Sequence, residues 1–339
     1  MASSSVAPFN CRAWRRQRPA ARASLRVPAM LSRVDVVTFG LIVDDLYHAD
    51  GRTSLGLLGG GGSQTLWGLL VHPSSPSAGL AGRCGDDLPP SCAAWLQTAG
   101  VDVAGLELTG ARATPRARQA TSGGGLRTQT WVSPPAEVDL YPRFERLPPS
   151  YAAAGSYHIG VHPSRPDLET LSHLRAAAAG AAPSAAQPRG GLVSVETYTC
   201  CDAGPLSSAA LASLVASTDV FSPNEAEAAS MLGFAVAPRG DAEAARAELL
   251  AALLRAAAGR HVVLALRCGA GGARVVAADT GIGWAVPAYP GTAMIFLGFV
   301  SNASFIRRTS QARSWWTQPG AATPSAAPSS PPSAAASRC

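Results

Sequence analysis

Apolar positions along the chain fall into short runs of two kinds. Val34-Asp35-Val36-Val37-Thr38-Phe39-Gly40 is a β-branched run ending on glycine, the pattern of a buried first strand. Gly59 to Gly62 open a helical stretch through Leu66, Leu69 and Leu70. Gly79-Leu80-Ala81-Gly82 ends another short strand, and Pro89 to Ala99 predicts a helix stopped by Gly100. Arg127 to Val132 alternates polar and apolar, as an exposed strand does. The second half is more regular. Strands are predicted at Tyr157 to Ile159, Leu192 to Val195, Val220-Phe221 and Val262 to Leu266, with helices at Asp167 to Ala179, Ser207 to Ser217, Glu225 to Leu232 and Asp241 to Ala258. Strands that alternate with helices imply βαβ units, a mostly parallel sheet, and ligands at the carboxyl ends of its strands.

The two ends read differently. Residues 1–32 are rich in Ser, Ala and Arg, hold no acid, and lack the continuous apolar core of a secretory signal. Their composition is that of a transit peptide, so plastid or mitochondrion is the expected destination and cytoplasm the alternative. Residues 33–306 are the expected domain. Residues 307–339 become a Pro/Ser/Ala tail that has too little apolar surface to bury a core.

Charge changes little. The chain carries a net charge of +6, but every basic residue is Arg and many sit in the leader. Once the leader is set aside no basic stripe interleaved with aromatics remains, so no nucleic-acid partner is expected. No apolar run approaches the roughly 20 residues that span a bilayer, so no membrane partner is expected either. The 7 cysteines form no CxxC pair, which argues against a zinc site and for a reducing compartment.

Five short motifs could carry chemistry. In Gly40-Leu41-Ile42-Val43-Asp44-Asp45 an aspartate lies just past a buried strand, where a carboxylate can accept hydrogen bonds from vicinal hydroxyls; a plain turn residue is the alternative. Gly59-Gly60-Gly61-Gly62-Ser63-Gln64 lets backbone N–H groups approach a ligand and adds an amide at a helix start, or is only a flexible turn. Gly82-Arg83-Cys84-Gly85-Asp86-Asp87 pairs carboxylates at a second strand exit, where acids near a helix N-terminus explain them better than catalysis. In Ser222-Pro223-Asn224-Glu225-Ala226-Glu227 the Asn224–Glu227 spacing suits a capping box, and Glu227 could also hold a metal through water. Arg267-Cys268-Gly269-Ala270-Gly271-Gly272 follows an apolar strand with a glycine-rich turn, open to a nucleotide or simply a hairpin; Cys268 has no partner and reads as inert.

Each motif is weak alone. Their order, from GLIVDD through GGGGSQ, AGRCGDD, FSPNEAE and VLALRCGAGG to VPAY, resembles the PfkB (ribokinase-type) carbohydrate kinases, and more narrowly the branch related to the yeast maintenance-of-killer protein. The resemblance covers roughly Val34 to Pro290. It implies a ribokinase-like three-layer α/β sandwich with a small β lid, here expected from segments near 45–58 and 105–132, and ATP-dependent phosphorylation of a sugar or nucleoside with Mg²⁺. It would place substrate on Asp45, Gly60, Gly61, Gly62 and Gln64. It would place nucleotide on Asn224, Glu227, Arg267, Gly269 and Gly272, with Glu227 reaching the metal through water. One departure matters. The family carries a Gly-Ala-Gly-Asp loop after a segment like Val286-Pro287-Ala288-Tyr289, and its Asp takes the hydroxyl proton. Here Pro290-Gly291-Thr292-Ala293 runs into Met294-Ile295-Phe296-Leu297, so the C-terminal part is expected to be incomplete and the catalytic Asp missing after Gly291. A kinase that is impaired as written, and a non-catalytic binding protein with a kinase fold, both follow.

Overall fold

The computed structural model describes residues 34–72, 76–109, 113–121, 127–133, 141–181, 191–234 and 242–288. The leader, the tail and the Gly291 region expected to lack the catalytic loop lie outside the described residues.

A nine-stranded sheet forms the body. It takes β1 (Val36–Phe39), β4 (Ala78–Cys84), β5 (Asp102–Leu108), β8 (Ser156–Val161), β9 (Val193–Thr197), β10 (Val220–Phe221), β11 (Val263–Arg267), β12 (Ala273–Ala277) and β13 (Gly283–Val286). The order is β13-β12-β11-β10-β9-β8-β1-β4-β5. Strands from β5 to β11 pair in parallel, and β12 and β13 close the edge antiparallel. Seven helices accompany them among the described residues: α1 (Gly61–Leu70), α2 (Pro90–Thr98), α3 (Pro149–Ala152), α4 (Leu168–Gly180), α5 (Ser208–Ala216), α6 (Glu225–Leu232) and α7 (Ala242–Ala257). Successive side chains of a strand point to opposite faces. Val36 and Leu80 therefore join a core with Leu66, Leu69 and Leu96 from α1 and α2. Val37, Phe39 and Ala81 join the larger core with Leu174, Leu214, Met231 and Leu253 from α4 to α7. Two cores on either side of one sheet make the three layers that the resemblance implies.

A second sheet of four strands, ordered β3-β2-β6-β7, forms the small lid: β2 (Ile42–Tyr47), β3 (Thr53–Gly59), β6 (Arg116–Thr121) and β7 (Arg127–Ser133). The lid was expected from segments near 45–58 and 105–132. Its second part starts later than that, because Asp102–Leu108 pairs with β4 in the body instead. Val101 and Val103 are buried against Leu96 and Leu80, and this apolar contact draws the segment into the main sheet.

Tyr151 locks α3 beneath the sheet edge. Its Oη donates to the Asp102 carbonyl at 2.6 Å, and its ring packs on Gly79 and Gly105, where an added Cβ would meet ring atoms. Such a cradle requires glycine on both strands.

Candidate functional site

The order in which strands are added reverses at β1. From there the chain builds β4 and β5 on one side and returns to place β8 on the other, so the topological switch point, where an open α/β sheet forms a crevice, falls between the carboxyl ends of β1 and β8. Crevices of this kind are where open α/β sheets bind ligands. Gly40 ends β1 at φ 101°, a conformation glycine adopts freely, and the chain passes directly into lid strand β2. Gly62, near the start of α1, lies on the same strand end: a Cβ there would stand 2.6 Å from the Gly40 carbonyl and nearer still to that of Phe39. The glycine run thus lets α1 approach the end of β1 through backbone alone.

Two acids meet the glycine run. Glu196 leaves β9 next to Gly61, where a Cβ would overlap its Oε1. Asp44, buried in β2, lies against Gly59 in the same way. Asp45, the expected substrate carboxylate, sits one residue further along β2 on the opposite side of the strand. It lies within the strand rather than in a turn after β1, because β2 pairs with β6 through this position, while its register with β3 shifts there. Its Oδ1 accepts from the Gly56 N–H at 2.8 Å, and Oδ2 stands 4.0 Å from Arg116. Gln64 is partly buried on the second turn of α1, its N–H donating to the Gly60 carbonyl at 3.0 Å.

The nucleotide candidates are built around Arg267 at the end of β11. Its Nη1 lies 3.1 Å from Glu196 Oε2, and its Nη2 lies 3.1 Å from Glu227 Oε2. Nε donates to the Ser222 carbonyl at 3.0 Å and Nη2 to the Thr197 carbonyl at 3.3 Å. The Asn224–Glu227 pair forms the full capping box of α6. Glu227 is at once a cap and a buried acid: Thr197 Oγ1 donates to it at 2.7 Å and Asn224 Nδ2 at 2.6 Å. Burial pushes its carboxyl up to about 7, against the lowering pull of Arg267 and the Asn224 N–H.

The glycines of the β11–β12 hairpin differ from one another. Gly269 has φ 52° and open space where a Cβ would go, whereas Gly272 (φ 84°) packs its Cα against the Val286 carbonyl of β13. Gly269 can admit a ligand; Gly272 is filled by the protein's own strand. Cys268 is buried, with its thiol pushed up to about 11 by desolvation, which fits its reading as inert. In the third motif, Asp87 Oδ1 accepts from both the N–H and the Oγ1 of Thr114 at 2.7 Å. It tethers the entry to β6 and joins no site.

Three participants were not singled out from sequence: Glu196, Asp44 and His158. His158 is 4% exposed on β8. Its Nδ1 lies 3.1 Å from Ser194 Oγ, and its Nε2, without a hydrogen-bond partner, lies 3.9 Å from Glu196 Oε1. Burial holds its pKa below the usual histidine value, against the Glu196 charge. As the side chains stand, Glu227 is not set to ligate a divalent cation directly. Both of its oxygens accept from nearby donors, and among the described residues no group of three or more His, Cys, Asp or Glu side chains is placed to hold a metal.

No family model matches the chain, and no curated protein matches it. Solved structures do. A ribokinase from Giardia lamblia superposes with TM-score 0.53 at 16% identity, covering 78% of this chain and 78% of that one. A fructokinase from Halothermothrix orenii gives 0.52 at 13%, covering 76% and 86%. A fructokinase from Xylella fastidiosa gives 0.50 at 18%, covering 73% and 73%. At such identities the likeness speaks to architecture, and the chain has the ribokinase-like α/β fold.

Proposed function

We propose that this chain binds a sugar or nucleoside together with ATP, as a phosphotransferase that is impaired as written. The observation that carries the reading is the convergence at the β1–β8 crevice. Gly61 and Gly62 bring the start of α1 onto the ends of β1 and β9, and Glu196 links that point to Arg267 and the Asn224–Glu227 cap. In this reading Asp44, Asp45, Gln64 and the backbone of Gly60 to Gly62 meet substrate hydroxyls. Asn224, Arg267 and the open Gly269 turn meet the nucleotide. Mg²⁺ enters on the ATP phosphates, and Glu227, whose Oε1 accepts from Asn224 Nδ2, reaches it through water.

Impairment follows from the sequence after Val286. Phosphoryl transfer is mostly positioning and charge stabilisation. Losing one anion-hole donor costs roughly 10²–10³ in rate, and losing a general base about 10²–10⁴. The two losses act on one unit and do not multiply fully. The leader directs the chain to a plastid or mitochondrion on its composition.

The full chain is assayed with ATP, Mg²⁺ and a panel of sugars and nucleosides, with binding followed in parallel by calorimetry. Binding with turnover at least about 10³ below the ordinary kinase range of about 1–100 s⁻¹ is the expected result. Turnover near 1 s⁻¹ would show that another group supplies the missing base. Absence of both sugar and nucleotide binding would overturn the reading.

A further inference from the structure

The glycine turn after β11 is held by a chain of four charged side chains. Arg246, on α7, donates from Nε to Glu225 Oε1 at 2.6 Å and from Nη1 to Glu243 Oε1 at 2.5 Å. Arg274, on β12, donates from Nη2 to the two Glu243 oxygens at 2.8 and 2.9 Å, and from Nη1 to the Gly271 carbonyl at 3.1 Å. Glu225 is the first residue of α6, directly after the Asn224 cap. The chain therefore ties the start of α6, helix α7, β12 and the turn to one another. Gly271 meets it a second time. A Cβ there would stand 2.7 Å from Arg246 Nη2 and 2.9 Å from both Nη1 and Cζ, so it would press on the face of the guanidinium. Gly269 and Gly272 have a positive φ and Gly271 does not. What Gly271 gives the turn is room for Arg246. Beyond the arginines lies a cavity of about 210 Å³, walled by Leu250, Val276 and Trp284 among others. No packed side chain backs the two guanidinium groups on that side, so the ion pairs fix their place.

We propose that Arg246 is a positioning residue for the nucleotide: through Glu225 and Gly271 it sets the Gly269 turn at its working distance from the α6 cap, and it touches no ligand itself. The inference rests on the reading of Asn224 and Gly269 as nucleotide contacts. Those two contacts sit on separate elements, and a ligand that bridges them is sensitive to small changes in their spacing. A planar guanidinium suits the task, because its fork holds an acid on each of two helices while its face lies on the turn. A methyl at Gly271 would meet the end of a long side chain, which can move aside at little cost to stability. It cannot do so without disturbing the contacts that Arg246 makes to Glu225 and Glu243. Nucleotide affinity is therefore the quantity that reports the clamp, and overall stability is not.

Calorimetric titration of the full chain with ADP and Mg²⁺ tests it in a double-mutant cycle. Gly271→Ala and Arg246→Ala should each weaken ADP at least about fivefold, the lower end of the range for coupling between separate sites. Gly271→Ala placed in the Arg246→Ala chain should change ADP affinity by less than about twofold, because the obstacle to the methyl is gone. Glu225→Gln, which weakens the hold of Arg246 on α6 and leaves the turn untouched, carries the same fivefold expectation if Arg246→Ala does not fold. Folded single variants that bind ADP as tightly as wild type overturn this inference and leave the nucleotide reading standing. So does a Gly271→Ala loss of equal size with and without Arg246. A wild-type chain that binds no ADP overturns the nucleotide reading and this inference with it.

Discussion

Asn224 and Glu227 hold each other reciprocally: the Glu227 N–H donates to Asn224 Oδ1 at 2.9 Å, and the Asn224 N–H donates to Glu227 Oε2 at 2.8 Å. The carboxyl that closes this cap is buried, and it binds its proton more tightly folded than unfolded, with its pKa raised from 4.5 to about 7. Its contribution to stability is complete below about pH 4.5 and is lost as pH rises through about 7. His158 acts with the opposite sign. Its pKa is lowered on folding, so its contribution is present above pH 6.5 and is lost as pH falls through the folded value. The two slopes overlap, and a difference against Glu227→Gln isolates the acid. Wild-type unfolding free energy minus that of the variant should fall by up to about 3 kcal/mol between pH 4.5 and pH 7.5 in urea denaturation. A flat difference would place the Glu227 carboxyl at its ordinary value.

Gly61 and Gly62 are neighbours with different neighbours. A methyl at Gly62 would press on the Phe39 and Gly40 carbonyls, which are backbone and cannot yield cheaply. A methyl at Gly61 would press only on the end of the Glu196 side chain. Gly62→Ala should destabilise by about 1–3 kcal/mol, the cost of an overpacked site. Gly61→Ala should stay within about 1 kcal/mol of wild type, helped by the better helix propensity of alanine. Equal losses in chemical denaturation would mean that Glu196 is as immovable as the strand.

The Tyr151 cradle separates a hydrogen bond from a steric fit. Tyr151→Phe deletes the donor to the Asp102 carbonyl and should cost about 1–3 kcal/mol, because it leaves a buried acceptor unpaired. Gly105→Ala sets a methyl against the Tyr151 ring and against the Leu80 carbonyl at 3.1 Å, so it should cost more. Thermal melts of the two variants give the ranking; the reverse order would show that the ring can shift aside.

Asp45 stitches the lid. Its carboxylate holds the Gly56 N–H of β3, and Gly56 turns at φ 67° beside Pro89. Asp45→Ala should loosen β3 by about 1 kcal/mol of local stability. Amide exchange at Gly56 should accelerate, while exchange in β8 and β9 stays as in wild type. Unchanged protection at Gly56 would mean that the β2–β3 ladder alone fixes the hairpin.

Local pattern carried most of the body. Val220-Phe221 and Glu225–Leu232 fall where periodicity and caps place them. The lid strands were harder to read, for a physical reason. In Thr53–Gly59 the leucines at 55 and 57 point outward, 61% and 41% exposed, so the run shows no buried apolar face. Arg116–Thr121 is arginine-rich and pairs with a strand some seventy residues earlier, which no local window records. The site was half legible. Asn224 and Glu227 announce themselves three residues apart. Glu196 and His158 do not, because their meaning comes from adjacent strands of a parallel sheet that bring residues far apart in sequence to one edge. The body kept Asp102–Leu108 for itself because Val101 and Val103 had an apolar place to go.

The position of β1 has a temporal consequence. This strand pairs with β4 on one side and β8 on the other, and the second pairing joins Val36 to Ser156, a separation of 156 − 36 = 120 residues. Closing so long a loop carries an entropic cost before any contact rewards it, and such topologies fold slowly. During synthesis at about 5–20 residues per second, β1 must wait several seconds or more with one edge bare. An apolar strand such as Val36–Phe39, held half-paired for that long, is a template for another nascent chain. The crevice whose two strands stand farthest apart in sequence is therefore also the place where a newborn chain is most vulnerable to misassembly.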